Sequence, residues 1–547
     1  MRDVLNLGAI HEAIAAAVPE REALVFGERR FTWAQVADRT RRLANLLRER
    51  GLGCHRERPG LQGWESGQDH VALYLYNGNE YLEGMLGAFK ARCAPFNVNY
   101  RYVEEELLYL FDNAEAKAVV YHACFAPLLA KIRPRLPKLA LLLQVADASG
   151  EALLPGALDY EAALASASPA PPPDDLSADD LYILYTGGTT GMPKGVLWRQ
   201  EDIYVAALSS QQPRRTVAEI VERAHAEPLR ALPAPPFMHG AAHWAAFSFW
   251  NTGGTVIVQP ETRRLDPHDV WSTVQRERVN VMTIVGDAFG RPLLDALAER
   301  TYDLSSLRLV TSGGAILTAA LKAEFLKRIP GLRILDALGS SESGAQASQM
   351  ATADARTTTG DFVVAPDSCV LAEDFSDVLA PGASERGWLA KRGAIPLGYY
   401  RDPDKTARTF PLVGGVRYSV PGDRATHEAD GTIRLLGRDS VCINTGGEKV
   451  FAEEVEHALK HHPAVYDAVV VGTPHPRFGQ QVTALVQLRP HAKTTEESLR
   501  AAAAEHLAGF KLPRAFVFVD AMTRSPSGKA DYRWAKETAT RALGGAA

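Results

Sequence analysis

The stretch Tyr185-Thr186-Gly187-Gly188-Thr189-Thr190-Gly191-Met192-Pro193-Lys194-Gly195-Val196 puts three glycines and three threonines ahead of a single lysine. It follows the apolar run Leu181-Tyr182-Ile183-Leu184, so a strand leads into a loop. Glycines let backbone N–H groups turn toward an anion, and threonine hydroxyls add donors. Lys194 supplies a compact positive charge. This composition suits phosphate. It is not the common phosphate loop G-x-x-x-x-G-K-[ST], because Gly195 rather than Ser or Thr follows Lys194. A generic Gly/Thr-rich surface loop is the plainer alternative.

Further along, Ser312-Gly313-Gly314-Ala315 reads by itself as a strand-to-helix turn. Asp336-Ala337-Leu338-Gly339-Ser340-Ser341-Glu342 ends on a carboxylate that would otherwise be solvated. Tyr418-Ser419-Val420-Pro421-Gly422-Asp423 ends on an aspartate able to accept two hydroxyl hydrogen bonds, although Gly-Asp alone is a turn signal. Arg438 alone would be a surface arginine. Thr445-Gly446-Gly447-Glu448-Lys449-Val450 allows close backbone approach, or makes a hairpin turn, or both. Arg524-Ser525-Pro526-Ser527-Gly528-Lys529 carries a lysine near the C-terminus, where lysines are usually solvated. His239 and His243 stand four apart on a helical pattern, but no third ligand for zinc lies nearby. His243, Trp244, Phe247, Phe249 and Trp250 form an aromatic cluster that suits either core packing or a pocket wall.

These residues need a scaffold, and the surrounding pattern predicts one. Thr32-Trp33-Ala34-Gln35 reads as a capping box, with Val36, Leu43 and Leu47 at helical spacing up to a stop at Gly51. Residues 52–68 read as an insertion loop. A strand at Val71–Tyr76, a helix at Glu80–Arg92 and a strand at Ala118–Tyr121 argue for parallel α/β layers. A proline-rich linker over Ser166–Ser177 precedes the glycine-rich loop's strand. Further strands are expected at Thr255–Gln259, Val281–Val285, Leu307–Val310 and Arg333–Leu335. Composition shifts near Gly437-Arg438-Asp439-Ser440. Beyond it the order is helix (Phe451, Val455, Leu459), strand (Ala468–Val471), strand (Val482–Gln487), helix (Glu496–Leu507) and strand (Phe516–Val519). The predicted fold class is α/β: a large multi-layer α/β body over 1–437 and a small α+β lid over 438–547.

Bulk properties narrow the function classes. A chain of 547 residues exceeds one ordinary core. A net charge of −5 makes no electrostatic case for nucleic acid. No run of about 18 apolar residues suggests a membrane span, and the N-terminus lacks the apolar stretch of a signal peptide. Five scattered cysteines, none in C-x-x-C, fit a reduced cytoplasmic location and buried structural thiols.

Taken in order, these motifs resemble the adenylate-forming superfamily of acyl-CoA synthetases, peptide-synthetase adenylation domains and firefly luciferases. The resemblance extends across the whole chain. It implies that Thr186, Gly187, Gly188, Thr189, Thr190 and Lys194 bind ATP phosphates, and that Gly313, Gly314 and Ala315 line the adenine. Asp336, Ala337, Leu338, Gly339 and Ser341 fall in a segment usually written Tyr-Gly-x-Thr-Glu. Leu338 stands where the family has an aromatic ring. Glu342 and Thr186 match the magnesium site, Asp423 and Arg438 the ribose site, and Lys529 the catalytic lysine. His239 matches a position beside the acyl carboxylate, with His243, Trp244 and Phe247 toward the acyl group. Gly446, Gly447 and Lys449 match the loop that meets coenzyme A. The implied cofactors are ATP, Mg2+ and coenzyme A, and the implied substrate is a small-molecule carboxylic acid. Peripheral membrane contact and a homodimer are compatible with it. Tyr185–Asp202 and Leu338–Gly344 look closest to bacterial fatty-acyl-CoA ligases, including those acting on steroid side chains. Two rival readings are an enzyme loading a separate carrier protein and a non-catalytic nucleotide-binding protein.

Overall fold

The computed structural model describes residues 4–171, 173–186, 192–209, 216–354, 358–445, 448–525 and 528–544. Among these residues three sheets of fifteen, eight and five strands organise the chain.

The eight-stranded sheet is built on parallel strands Ala94–Asn97, His70–Tyr74, Ala116–His122 and Leu141–Val145. These strands are buried on both faces, which is why they read as near-continuous apolar runs. Leu181–Thr186 joins parallel to Ala94–Asn97, and Lys194–Arg199 then folds back antiparallel. The helix over Trp33–Glu49 starts as the sequence predicts. The Thr32 hydroxyl accepts from the Gln35 amide at 3.3 Å, and Gln35 returns the bond to the Thr32 amide at 2.8 Å. Gly51 follows its end with φ +76°, a conformation glycine adopts without a Cβ penalty.

The fifteen-stranded sheet changes character along its width. Strands Glu22–Phe26, Thr255–Val258, Arg230–Pro233, Val281–Ile284, Leu309–Gly313 and Arg333–Ser340 run parallel. From Gly344–Ala351 onward, the pairings along the path become antiparallel. Two strands differ in extent from the sequence expectation. Leu309–Gly313 starts later and runs to the Gly-Gly turn, pairing Ser312 with Asp336 and Gly313 with Ala337. Arg333–Ser340 extends five residues past Leu335, because the hairpin with Gly344–Ala351 satisfies its backbone.

The five-stranded sheet lies in the C-terminal part, packed by helices Ala452–Leu459, Glu496–Ala504 and Tyr532–Gly544. It has its own apolar core around Val455, Leu459, Val470, Val482 and Leu499. The chain passes from the large sheet to this one through a single 3-10 turn, Asp439–Val441, between strands ending at Arg438 and starting at Ile443. The protein is thus a mixed α/β molecule with a large N-terminal body and a small C-terminal domain. Among the described residues, no helix is long and apolar enough to cross a membrane.

Candidate active site

The cleft lies beyond the carboxyl ends of the parallel strands, where open α/β sheets bind ligands. Thr186 and Lys194 face each other in register at the mouth of the hairpin made by their strands. Gly187, Gly188, Thr189 and Thr190 lie outside the described residues, as do Gly446 and Gly447. Lys194 forms an ion pair with Asp402.

Two buried asparagines fix the strand ends to one another. Asn97 accepts from the Tyr185 amide at 2.8 Å and donates to the carbonyls of Tyr185 at 2.8 Å and Met238 at 2.7 Å. Asn77 donates to the Pro235 carbonyl at 3.0 Å and accepts from the Phe237 amide at 2.6 Å. Together they hold the segment Pro235–Met238, and so place His239 next to the end of strand Leu181–Thr186. Sequence reasoning missed both. The one available signal was a polar residue closing an otherwise apolar strand.

His239 precedes the helix Gly240–Trp250. Its Nε2 is buried and has no hydrogen-bond partner among the described residues. Burial, reinforced by the charge of Lys529, holds its pKa down at about 3, so the ring is neutral. A buried, unpaired polar atom costs free energy unless a ligand completes it.

The structure corrects two expectations on the same helix. Both ring nitrogens of His243 are engaged: Nδ1 by the Phe237 carbonyl at 2.6 Å and Nε2 by the Tyr182 hydroxyl. Phe247 is only 2% exposed and packs on Phe89 and Trp250. Both residues therefore belong to the core, because they lie on the inward side of a helix apolar all round. Trp244 is half-buried, donating to Tyr182 at 3.0 Å, and shares the outward side with Ala241, Ala245 and Phe249.

The turn expected at Ser312–Ala315 is present. Ser312 is buried, Gly313 ends its strand, and Gly314 has φ +83° before Ala315. A Cβ added at Gly314 would sit 3.8 Å from Cε of Lys529. The carboxylate of Asp336 does not face the cleft: buried Lys322 takes it at 2.7 Å. The side chain of Asp336 is thus withdrawn from the expected cofactor site, while Asp336 and Ala337 stand beside the turn, paired with Ser312 and Gly313. Leu338 packs on the small cluster that includes Phe362 and Leu389. Gly339 touches the returning hairpin so closely that a Cβ would lie 2.2 Å from the Gly344 carbonyl oxygen. The Ser341 carbonyl accepts from the Trp198 indole at 2.9 Å.

Glu342 is anchored by two hydroxyls. Its Oε1 accepts from the Tyr399 hydroxyl at 2.8 Å, and its carbonyl from Ser419 at 2.5 Å. Asp423 is buried and accepts from Arg438 Nε at 3.2 Å, the two standing opposite in adjacent strands. Arg438 has its pKa raised, first by Asp423 and further by Glu342.

Lys529 arrives in this cleft from the C-terminal domain. The residue is exposed to solvent, while Arg438, Glu342 and Asp423 lie near enough to act on its charge. Its pKa is lowered by loss of solvation and then by Arg438, with Glu342 and Asp423 opposing. The loop is shaped locally: the Ser525 amide donates to the Lys529 carbonyl at 2.8 Å, and the Lys529 amide to the Ser525 hydroxyl at 3.2 Å. Lys449 is engaged elsewhere, by Glu373 at 3.6 Å.

One cleft therefore gathers two cations, two carboxylates and an unsatisfied neutral imidazole from segments spread over about 300 residues of chain. Such a set suits a reaction between anions, where charge must be neutralised and geometry fixed.

Comparison with known proteins agrees. Residues 11–400 match the AMP-binding enzyme family, and residues 454–529 match the AMP-binding enzyme C-terminal domain. The chain is 53% identical over 537 residues to the medium-chain acyl-CoA ligase Mig of Mycobacterium avium, covering 97% of this chain and 98% of that one. It is 43% identical to the 3-oxocholest-4-en-26-oate–CoA ligase of Rhodococcus rhodochrous, covering 97% and 96%. The structure resembles ATP-bound MatB from Rhodopseudomonas palustris, with TM-score 0.81, 25% identity and coverage of 98% and 99%. It shares its fold with the anthranilate CoA ligase AuaEII in complex with anthranoyl-AMP, with TM-score 0.83, 22% identity and coverage of 100% and 99%. Matched over most of its length by both family descriptions and by full-length relatives, the chain belongs to the AMP-binding enzyme family.

Proposed function

We propose that this chain, an ATP-dependent, AMP-forming acid–thiol ligase, activates hydrophobic carboxylic acids, either medium-to-long chains or polycyclic acids, in the cytoplasm. The observation that carries the reading is the meeting of Lys529, Arg438, Glu342, Asp423 and His239, whose Nε2 has no partner among the described residues, in one cleft. The substrates are ATP, the acid and coenzyme A.

In the first half-reaction a carboxylate oxygen attacks the α-phosphorus of ATP, and the bond to pyrophosphate breaks, giving acyl-AMP. Both reactants are anionic. Lys529 and Arg438 lower the cost of bringing them together, most where charge develops. Neutral His239 can donate or accept one hydrogen bond beside the acid without adding charge. Asp423 orients the ribose by accepting from its hydroxyls. Glu342 and Thr186 would hold Mg2+, which supplies neutralisation of phosphate charge when bound. The Tyr399 hydroxyl orients that carboxylate through Oε1, which fits the assignment. In the second half-reaction the thiolate of coenzyme A attacks the acyl carbon, and the bond to AMP breaks.

The acid class rests on the helix Gly240–Trp250, whose partly exposed side carries Ala241, Trp244, Ala245 and Phe249 with no charge. It also fits the names of the Mycobacterium avium and Rhodococcus relatives. Each buried CH₂ of the acid should gain about 0.8 kcal/mol, or about fourfold in kcat/KM, until the pocket is full. A series of acids from acetate upward measures this. A higher kcat/KM for acetate than for every longer acid would reject the assignment.

A further inference from the structure

A charged chain that the chemistry above does not use links the lid to the body and ends at the loop of Lys529. Its first member, Asp287, stands in the first turn of the body helix Gly286–Glu299. The Thr318 amide donates to Asp287 Oδ1 at 2.8 Å, which fixes the carboxylate and leaves Oδ2 toward the lid. Lys460, from the lid, places Nζ 3.5 Å from Asp287 Oδ2 and 3.2 Å from Asp467 Oδ1. Asp467, on the lid strand Val465–His475, takes both arms of Arg524 at 2.7 Å each. Arg524 then donates to the carbonyl of Gly528 at 3.0 Å, one residue before Lys529.

The members are half-buried or better, with side chains 13% to 18% exposed. Ion pairs in such places depend on geometry, and removing one partner strands the other. Burial alone would raise Asp467, but Lys460 and Arg524 hold it down at about 2. Close packing accompanies the charges. Gly528 has φ +74°, and a Cβ there would fall 2.9 Å from Cβ of Ala288 and 3.2 Å from the Val285 carbonyl oxygen. The loop thus rests on the same helix start that carries Asp287. Within the lid, Asp467 and Arg524 shape the loop. Across the boundary, Lys460 and Asp287 fix where the lid sits.

We propose that Asp287 and Lys460 are positioning residues: their contact registers the lid on the body so that Lys529 enters the cleft for adenylation. This rests on the ligase reading above. The pair touches neither reacting group, so it acts on the half-reaction that needs Lys529 and not on the other.

The test uses the full-length protein with Lys460→Met, Asp287→Asn, the double variant and Lys460→Arg. Asp287→Asn keeps the acceptor for the Thr318 amide, which guards against unfolding. Acid-dependent ATP–pyrophosphate exchange should fall at least tenfold in each of Lys460→Met and Asp287→Asn, in kcat rather than in KM for ATP. Thioester formation from supplied acyl-AMP and coenzyme A should stay within twofold. The double variant should be no worse than the poorer single, and Lys460→Arg should recover most of the exchange. Hydrogen exchange over residues 285–289, the surface Gly528 covers, should quicken severalfold in Lys460→Met but not in Lys460→Arg. Equal losses in both half-reactions, multiplicative losses in the double variant, or unchanged hydrogen exchange would overturn the proposal. Wild-type protein inactive in both assays, yet showing the exchange change in Lys460→Met, would sink the ligase reading and leave the lid contact standing.

Discussion

Lys529→Ala is expected to cost adenylation at least about a thousandfold, roughly 4 kcal/mol of transition-state stabilisation, on the scale of a lost oxyanion donor. Two observations set the direction. Lys529 is the cation that the lid brings into a cleft already holding Arg438, Glu342 and Asp423. Nothing else on the lid loop carries positive charge to that point, because Arg524 is committed to Asp467 and Gly528. Alanine would leave the carboxylate and the α-phosphate to repel across a gap. Thioester formation from supplied acyl-AMP should fall far less, since no second anion has to approach the phosphate. The wild-type rate should carry a related signature. Desolvation and Arg438 lower the pKa of Lys529, so its ammonium is fully present at low pH and is lost as pH rises through that lowered value. Adenylation should therefore decline on the alkaline side, and the lysine variant should lack that decline. Rapid-quench rates for each half-reaction check it, and equal losses in both would contradict the role.

Ser440→Pro should separate the half-reactions in the opposite sense. Ser440 lies in the 3-10 turn Asp439–Val441, the one passage between the large sheet and the lid sheet. We place the boundary of body and lid here, at 437/438, with Ser440 as the pivot. The arrangement described presents Lys529. We infer that thioester formation needs a second arrangement of the lid, so the turn has to absorb a large backbone change. Proline fixes φ near −65°, close to 3-10 values, so the present arrangement should survive. The alternative one should not. Adenylation is expected within about tenfold of wild type. Thioester formation should fall about a hundredfold or more, the scale of a misplaced reacting group. Single-turnover rates decide it: if both half-reactions are unchanged, the pivot lies elsewhere.

The contrast between these two variants also marks what could be read from sequence. Lys529, Glu342, Asp423 and Gly313-Gly314 could be singled out because each sits in a short contiguous motif, ambiguous alone but set in a recognisable order. The order of such motifs along the chain then carried the family. The residues that hold them were not legible. Asn77 and Asn97 clamp segments 88 to 160 positions away, and Tyr399 reaches Glu342 across 57. Neither pairing has a local pattern. His243 and Phe247 failed for a different reason. The helix Gly240–Trp250 is apolar on every side, so periodicity could not tell its core face from its open face. Likewise Gly344–Ala351, rich in small and polar residues, gave no alternating pattern, and its neighbour's full length went unread.

The most direct test of the central claim measures products with ATP, Mg2+, a medium-chain or steroid side-chain acid, and coenzyme A present or absent. The account predicts acid-dependent pyrophosphate release without coenzyme A, limited to about one turnover by retained acyl-AMP. With coenzyme A, AMP and acyl-CoA should accumulate in equal amounts over many turnovers. Pyrophosphate release that coenzyme A leaves unchanged, with no acyl-CoA formed, would point to a carrier-loading enzyme. No acid-dependent pyrophosphate release at all would contradict the account.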